Sequence, residues 1–261
     1  MHHRRALVLV ILAALAWGTG GPTGVLLSTY AGLSPLATSF WRLAAAAVWL
    51  LPAVRRRPVQ RRAALSGVGL AICQLGYFTA IPRVGVGIAT VVALGAAPVI
   101  ITIAARERLT AATFTAIAGL VLLTATTGTA SLTGIAAAVA SAVGYSITTL
   151  LNRNGQDPLA TALVGFITGA LVLAPFAELP TTWTGWLLIA YFGLVPTALA
   201  YTLFYAGLRT LKASTAAVIA LLEPVVATAI GVLAFHEHLT ALAVTGAAVL
   251  LLAVVAQARS H

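Results

Sequence analysis

The stretch ALVLVILAALAWGTGGPTGVLL, residues 6–27, carries no charged side chain and follows the basic segment Met1–Arg5. An α-helix needs about 20 apolar residues to cross the hydrocarbon core of a bilayer. The stretch is too long for the apolar core of a secretory signal peptide, and no small-residue cleavage site ends it cleanly. It therefore predicts a first transmembrane helix that is retained.

The composition of the whole chain also indicates a membrane protein. Its 261 residues are 61% hydrophobic and 8% charged, whereas a soluble domain carries roughly 25% charged residues. The formal charge is +10, but the basic residues form short clusters between apolar runs and not the continuous stripe that binds nucleic acid. The single cysteine, Cys73, allows no disulfide within the chain and no thiolate metal site. We expect no nucleic-acid partner and no cofactor.

Charged residues and turn residues divide the sequence into ten apolar pieces long enough to span a bilayer. The weakest division separates the fifth piece from the sixth, because Leu109–Leu151 contains no charged residue. There the turn residues of Thr126–Ser131 make the division. The predicted spans are 6–28, 35–54, 63–82, 84–105, 111–127, 132–151, 159–177, 184–207, 213–235 and 240–257.

The basic residues predict the orientation of these spans. If the N-terminus is inside, only Arg83 lies in an outer loop and Arg42 lies within the second span. Cytoplasmic loops are enriched in Lys and Arg, so both termini are predicted to be cytoplasmic. The preference for Arg over Lys and the abundance of Ala are typical of a GC-rich bacterial genome, which places the chain in a bacterial inner membrane. The inner basic residues are Arg4, Arg5, Arg55, Arg56, Arg57, Arg61, Arg62, Arg106, Arg108, Arg153, Arg209, Lys212 and Arg259.

The two halves of the chain partly repeat one another. With a shift of about 126 residues, Pro98-Val99 aligns with Pro224-Val225. Each half has five spans, and because five is odd the second half enters the membrane from the opposite side. The charges agree, since the arginine-rich loop 55–62 has a counterpart near 178–183 without basic residues. The predicted fold is an all-α membrane protein of ten transmembrane helices in two inverted five-helix repeats, 1–128 and 129–261.

With these features the chain resembles the EamA-type branch of the drug/metabolite transporter superfamily. The resemblance covers the whole chain, and it implies two tandem five-helix units that move small metabolites, often amino acids, commonly outward. The matching features, in order, are Trp17-Gly18, Arg42, Pro98-Val99, Pro224-Val225, and the Glu-x-Leu-Thr turns at 107–110 and 237–240.

Three features inside the predicted spans are candidates for function. Glu223 lies near the middle of the ninth span beside Pro224, and an acid at that depth is costly unless it is used or hydrogen-bonded between helices. It is a candidate both for proton coupling and for contact with a substrate ammonium group. Arg42 is predicted to be structural, bonded to backbone carbonyls, with an anion contact as the alternative. The segment Gly18–Pro22 favours either a helix break or close helix packing.

Polar and aromatic side chains at helical spacing predict a pocket. Gln74 and Tyr77 share one helix face, as do Tyr201 and Tyr205, and Tyr145 lies near Ser146 and Thr149. Each of them could equally be packing or an interface residue. We expect a cavity near the midplane between the two halves, lined by spans one, three, four, six, eight and nine. The candidate substrate-binding residues are Trp17, Gln74, Tyr77, Tyr145, Tyr201 and Glu223.

Acids and threonines recur in two loops. Glu107 and Glu237 are predicted to be exposed loop charges, which need no partner. Thr110 and Thr240 have the position of helix N-caps. His236 and His238 flank Glu237, but residues two apart do not share a helix face, and no metal site is expected.

These observations favour a secondary transporter that exports a small organic metabolite, an amino acid or similar compound, with proton coupling as a further hypothesis. The alternatives are a multidrug or cation efflux transporter and a membrane scaffold that moves nothing. An intramembrane enzyme is disfavoured because the five acidic residues are scattered along the chain. The expected partners are the lipid bilayer and a small-molecule substrate, and a homodimer is left open.

Overall fold

A computed structural model describes residues 2–54, 61–124, 131–153, 157–236 and 238–259, and these segments are helical with short connections. The predicted boundary at 128/129, the cluster Arg55–Arg57 and Glu237 lie outside the described residues. The α-helices are α1 (His2–Gly18), α2 (Gly20–Ala31), α3 (Pro35–Val54), α4 (Arg61–Ala104), α5 (Ala111–Leu123), α6 (Leu132–Asn152), α7 (Pro158–Leu173), α8 (Trp183–Gly193), α9 (Ala200–Leu208), α10 (Ala213–Ala220), α11 (Leu222–Phe235) and α12 (Ala241–Arg259).

Eight helical segments of the described chain are long and apolar enough to cross a membrane. They are His3–Ala31, Pro35–Val54, Arg62–Ala104, Leu132–Asn152, Pro158–Phe176, Trp183–Leu208, Ala213–Phe235 and Ala241–Arg259.

The count differs from the predicted ten at two places. The predicted third and fourth spans form the single run α4, which is interrupted at Gly85, where the backbone leaves the helical region (φ 79°, ψ 160°). Such a positive φ is readily available only to glycine. The predicted fifth span is the shorter helix α5. The all-helical prediction is confirmed, and the predicted N-caps are as well, since Thr110 accepts from the Thr113 amide and Thr240 from the Ala243 amide.

Besides α4, three of the spanning segments are broken inside their length. The segment His3–Ala31 is divided at Thr19 into α1 and α2, and the segment Ala213–Phe235 is divided at Leu221 into α10 and α11. Pro224 contributes to the second break because it has no amide hydrogen to donate to a carbonyl one turn earlier. The spanning segment Trp183–Leu208 contains a π-helical segment, Leu194–Leu199, between α8 and α9. Breaks of these kinds are tolerated at membrane depth where the backbone is covered by protein or lines a cavity.

Neighbouring helices pack closely through small residues. A Cβ atom placed on Gly144 of α6 would lie 2.5 Å from the Gly69 carbonyl oxygen and 2.6 Å from the Cys73 amide nitrogen, both in α4. Such contacts let the two backbones approach directly. On the outside of the bundle, large apolar side chains are exposed, for example Leu233 at 79% and Leu132 at 82%. An exterior of this kind suits contact with lipid.

Candidate substrate cavity

A cavity of about 680 Å³ lies inside the bundle. The six candidate substrate-binding residues and Arg42 all line it, namely Trp17, Arg42, Gln74, Tyr77, Tyr145, Tyr201 and Glu223. Each of the six spans expected at the cavity contributes to the lining. The second span, α3, also contributes, through Pro35, Thr38, Ser39 and Arg42.

One wall of the cavity is aromatic. The ring of Trp17, at the end of α1, lies edge-on to Tyr201 with centroids 5.0 Å apart, and to Tyr145 with centroids 6.5 Å apart. Edge-to-face pairs of this kind are favourable beyond the area they bury. The indole nitrogen of Trp17 is buried without a hydrogen-bond partner in the described part of the chain. The wall is therefore mostly apolar.

Some residues of the predicted cluster do not reach the cavity. Tyr205 is 2% exposed and packs in the core, with its ring centroid 5.8 Å from that of Tyr201. Ser146 donates to the Ala142 carbonyl of its own helix, and Thr149 is fully buried. For these three residues the structure shows packing, the alternative that the sequence left open, because neighbours on one helix face can still lie at different depths in the bundle.

Arg42 is held by contacts within the protein and also lines the cavity. Its Nε donates to the Thr197 hydroxyl at 3.3 Å, and its Nη2 donates to the Pro196 carbonyl at 3.5 Å. The guanidinium carbon lies 4.8 Å from the centre of the Phe192 ring. The π-helical segment supplies Pro196 and Thr197, α8 supplies Phe192, and the Arg42 side chain also lines the cavity. Arg42 is thus a positive charge held in a fixed orientation at the cavity wall.

Glu223 is half-buried and lines the cavity from the first turn of α11. The sequence placed it in the middle of a continuous span, whereas the break at Leu221 makes it the second residue of a new helix. The unpaired amide groups of a helix N-terminus attract negative charge. Its carbonyl oxygen would lie 3.0 Å from a Cβ atom placed on Gly18, so α11 packs tightly on the end of α1.

Neutral polar groups complete the lining. Gln74 accepts a hydrogen bond from the Ser39 hydroxyl at 3.2 Å, and Tyr77 pairs with Thr90 across the Gly85 break at 2.8 Å. Cys73 also lines the cavity, with its sulfur 3.5 Å from the Ser141 hydroxyl. Sequence reasoning missed Ser39 and Ser141, because small polar residues are common throughout membrane helices and carry no signal of their own. It considered Cys73 only for a disulfide or a metal site.

The cavity extends towards one end of the bundle. At that end the lining residues include Leu33 beside the start of α3, Val86 just after the α4 break, and Phe235 at the end of α11. We call this the open end. The opposite end carries Glu107 and Arg153, and neither of them is among the described lining residues. We call this the closed end.

A bundle of apolar helices, some of them broken beside an internal cavity that a few polar and charged side chains line, is the architecture of a multi-pass membrane transporter. The sequence profile of the EamA-like transporter family matches residues 128–257. A Bacillus subtilis (strain 168) protein described as "Uncharacterized transporter YwfM" is 32% identical over 270 residues, which are 94% of this chain and 90% of that protein. An Archaeoglobus fulgidus protein described as "Uncharacterized transporter" is 29% identical over 121 residues, 45% of each chain.

The chain therefore belongs to the EamA-like transporter family and is a membrane transporter, as the resemblance indicated. A solved crystal structure superposes with a TM-score of 0.80 over 97% of this chain and 98% of the other, at 21% sequence identity. That likeness concerns the fold alone.

Proposed function

We infer that the protein is a secondary transporter that exports a small zwitterionic metabolite of the amino-acid type. The observation that carries this inference is the charge pattern of the cavity. Its charged lining residues in the described chain are one cation, Arg42, and one acid, Glu223. The guanidinium bonds to Thr197 and Pro196 and not to the acid. Each charge can therefore serve a different group of one substrate.

The chemistry of the lining matches the three parts of an amino acid. A carboxylate would bind Arg42, because guanidinium groups present paired donors to carboxylates. An ammonium group would bind Glu223, and an apolar or aromatic side chain would lie against Trp17 and Tyr201. The cavity volume of about 680 Å³ lies within the range of roughly 300–1,000 Å³ that small-molecule sites occupy.

Proton coupling is assigned to Glu223. It is the acidic residue among the described lining residues of the cavity, and an ionisable group within a membrane span is a functional candidate by default. A carboxyl that takes up a proton on one side of the membrane and releases it on the other could link export to a proton gradient. Substrate ammonium and proton would then compete for the same oxygens.

The proposed architecture is ten spans in two inverted repeats, with both termini cytoplasmic. It is supported by the Gly85 break, which divides α4 into two lengths near the predicted 63–82 and 84–105, and by the basic residues at the closed end, including Arg153 and Lys212. In this orientation the closed end faces the cytoplasm of a bacterial cell and the open end faces outward.

Reporter fusions test that orientation. Fusions at Ser131, Thr181 and His238 are expected to report the outside of the cell. Fusions at Gln60, Gln156 and Lys212 are expected to report the cytoplasm. Alkaline phosphatase and fluorescent-protein activities at each site measure this. A cytoplasmic signal at His238 would refute the inverted repeat.

A multidrug or cation efflux transporter is the second candidate. The aromatic wall and Glu223 suit an organic cation, because aromatic faces attract cations. Arg42 in the same lining disfavours it, since a second positive charge in a low-dielectric cavity repels a cation. The two candidates therefore make opposite predictions for substrates that lack a carboxylate.

Counterflow in proteoliposomes tests the proposed function. Vesicles containing the purified protein are loaded with a single unlabelled amino acid, and uptake of the same labelled amino acid is followed. At least one amino acid with an apolar or aromatic side chain is expected to exchange faster than in protein-free vesicles. Exchange of organic cations without exchange of any amino acid would favour the second candidate and contradict the first.

A further inference from the structure

Glu107 was expected to be an exposed loop charge, and the structure contradicts this. Its side chain is 15% exposed. Its carboxylate accepts hydrogen bonds from the amides of Ala213 at 3.3 Å and Ser214 at 3.0 Å, and from the Ser214 hydroxyl. Arg153 lies 3.7 Å away. The acid therefore holds the first turn of α10, in the other half of the chain.

The position of α10 makes this contact relevant to the cavity. Ala217 and Ala220 of α10 line the cavity. A single residue, Leu221, separates α10 from α11, which carries Glu223. Glu107 thus holds the closed-end terminus of a half-helix whose other terminus leads to the cavity acid. The first amides of a helix have no partner within the helix, and a carboxylate satisfies them and complements the helix dipole.

A second contact supports the first at the same end. Gln257 of α12 accepts from the Thr110 hydroxyl at 2.7 Å and donates to the Thr215 hydroxyl at 3.2 Å. It joins the loop after Glu107 to the first turns of α10. The loop Arg106–Thr110, α10 and α12 are therefore connected by a small set of polar contacts.

We propose that Glu107 is the latch of the closed-end gate. When its bonds to Ala213 and Ser214 break, α10 separates from the loop Arg106–Thr110 and the cavity gains access to the closed end. This rests on the proposed function, because a transporter must open its cavity to each side in turn. A few charge-assisted hydrogen bonds suit such a gate, since they favour one state without making the other inaccessible.

The single cysteine of the chain provides a direct assay. Cys73 lines the cavity, so a membrane-impermeant maleimide reaches it only from an end that is open. In oriented vesicles, wild-type Cys73 is expected to react from the open end and much more slowly from the closed end. Glu107→Gln keeps the size of the side chain but removes the charge. Glu107→Gln is expected to raise the rate of Cys73 labelling from the closed end, here called the closed-end rate, by about fivefold. This is the effect that the loss of part of a charged hydrogen bond predicts.

Glu178→Gln is the matched control. Glu178 also accepts from a backbone amide at a helix start, that of Ser34 at 2.9 Å, but beside the open end. It should leave the closed-end rate unchanged. Ser214→Ala removes the hydroxyl contact without touching Glu107 and is expected to raise the closed-end rate less than Glu107→Gln does. Cys73→Ser reports unspecific labelling.

The proposal is overturned if Cys73 is labelled from the closed end at the wild-type rate in both Glu107→Gln and Ser214→Ala. It is equally overturned if Glu178→Gln produces the same increase as Glu107→Gln, since the effect would then be general loosening. If Glu107→Gln does not fold, the result for Ser214→Ala decides alone. The assay needs no substrate, so its outcome is separate from that of the counterflow experiment.

Discussion

Glu223→Gln is expected to abolish the response of transport to a pH gradient, reducing gradient-driven flux by at least about tenfold. Glutamine keeps the shape and hydrogen-bonding capacity of the side chain but cannot bind and release a proton. Because Glu223 lines the cavity from the first turn of α11, the change leaves the helix and its packing on Gly18 intact. Flux into proteoliposomes with and without an imposed pH gradient measures the effect.

The control for this variant is Glu178→Gln, a change of the same type at an acid outside the described cavity lining. It should retain the wild-type response to the gradient. Both variants should insert in the membrane and elute as wild type from a size-exclusion column. Wild-type flux with wild-type pH dependence in Glu223→Gln would make Glu223 structural and remove the assignment of proton coupling.

Arg42→Lys is expected to weaken apparent substrate affinity by about tenfold to a hundredfold, the range that follows from losing one charged hydrogen bond. Lysine retains the charge but has no planar guanidinium to lie over Phe192, or to donate to Thr197 and Pro196 while facing a carboxylate. The concentration dependence of counterflow gives the apparent affinity.

Arg83→Lys is the matched control, because Arg83 donates to the Thr79 carbonyl of its own helix and is exposed. The apparent substrate affinity of the Arg83→Lys variant should stay within about twofold of wild type, as expected for a change at an exposed basic residue. If Arg42→Lys and Arg83→Lys have the same affinity as wild type, Arg42 acts in packing only and the carboxylate has another partner.

The sequence predicts the bounds of a span well where charged or turn residues delimit an apolar run of the required length. The prediction of 35–54 coincides with α3, and the prediction of 132–151 is one residue shorter than α6. Charged residues cannot enter the hydrocarbon core cheaply, so they delimit apolar runs of the required length. The break at Leu221 and the π-helical segment Leu194–Leu199 were not predicted, because a membrane helix can accommodate a proline, such as Pro224 or Pro196, without a break.

The candidate residues were found because a polar side chain in an apolar span needs a polar environment. That reasoning placed Glu223 and Gln74 correctly at the cavity lining, while their roles in binding stay predictions. It missed Phe192, which resembles any other lipid-facing aromatic residue in sequence. It also misjudged Glu107, because the partner that buries its carboxylate, Ser214, is 107 residues away in the chain.

Competition between substrate analogues tests the central claim, that one zwitterion binds between Arg42 and Glu223. The amino acid that shows the strongest counterflow is assayed with its methyl ester, which lacks the carboxylate, and with its N-acetyl derivative, which lacks the ammonium group. The unmodified amino acid is expected to compete at least about tenfold better than either analogue, since each analogue loses one charged contact. If both analogues competed as well as the unmodified amino acid does, the result would contradict this account.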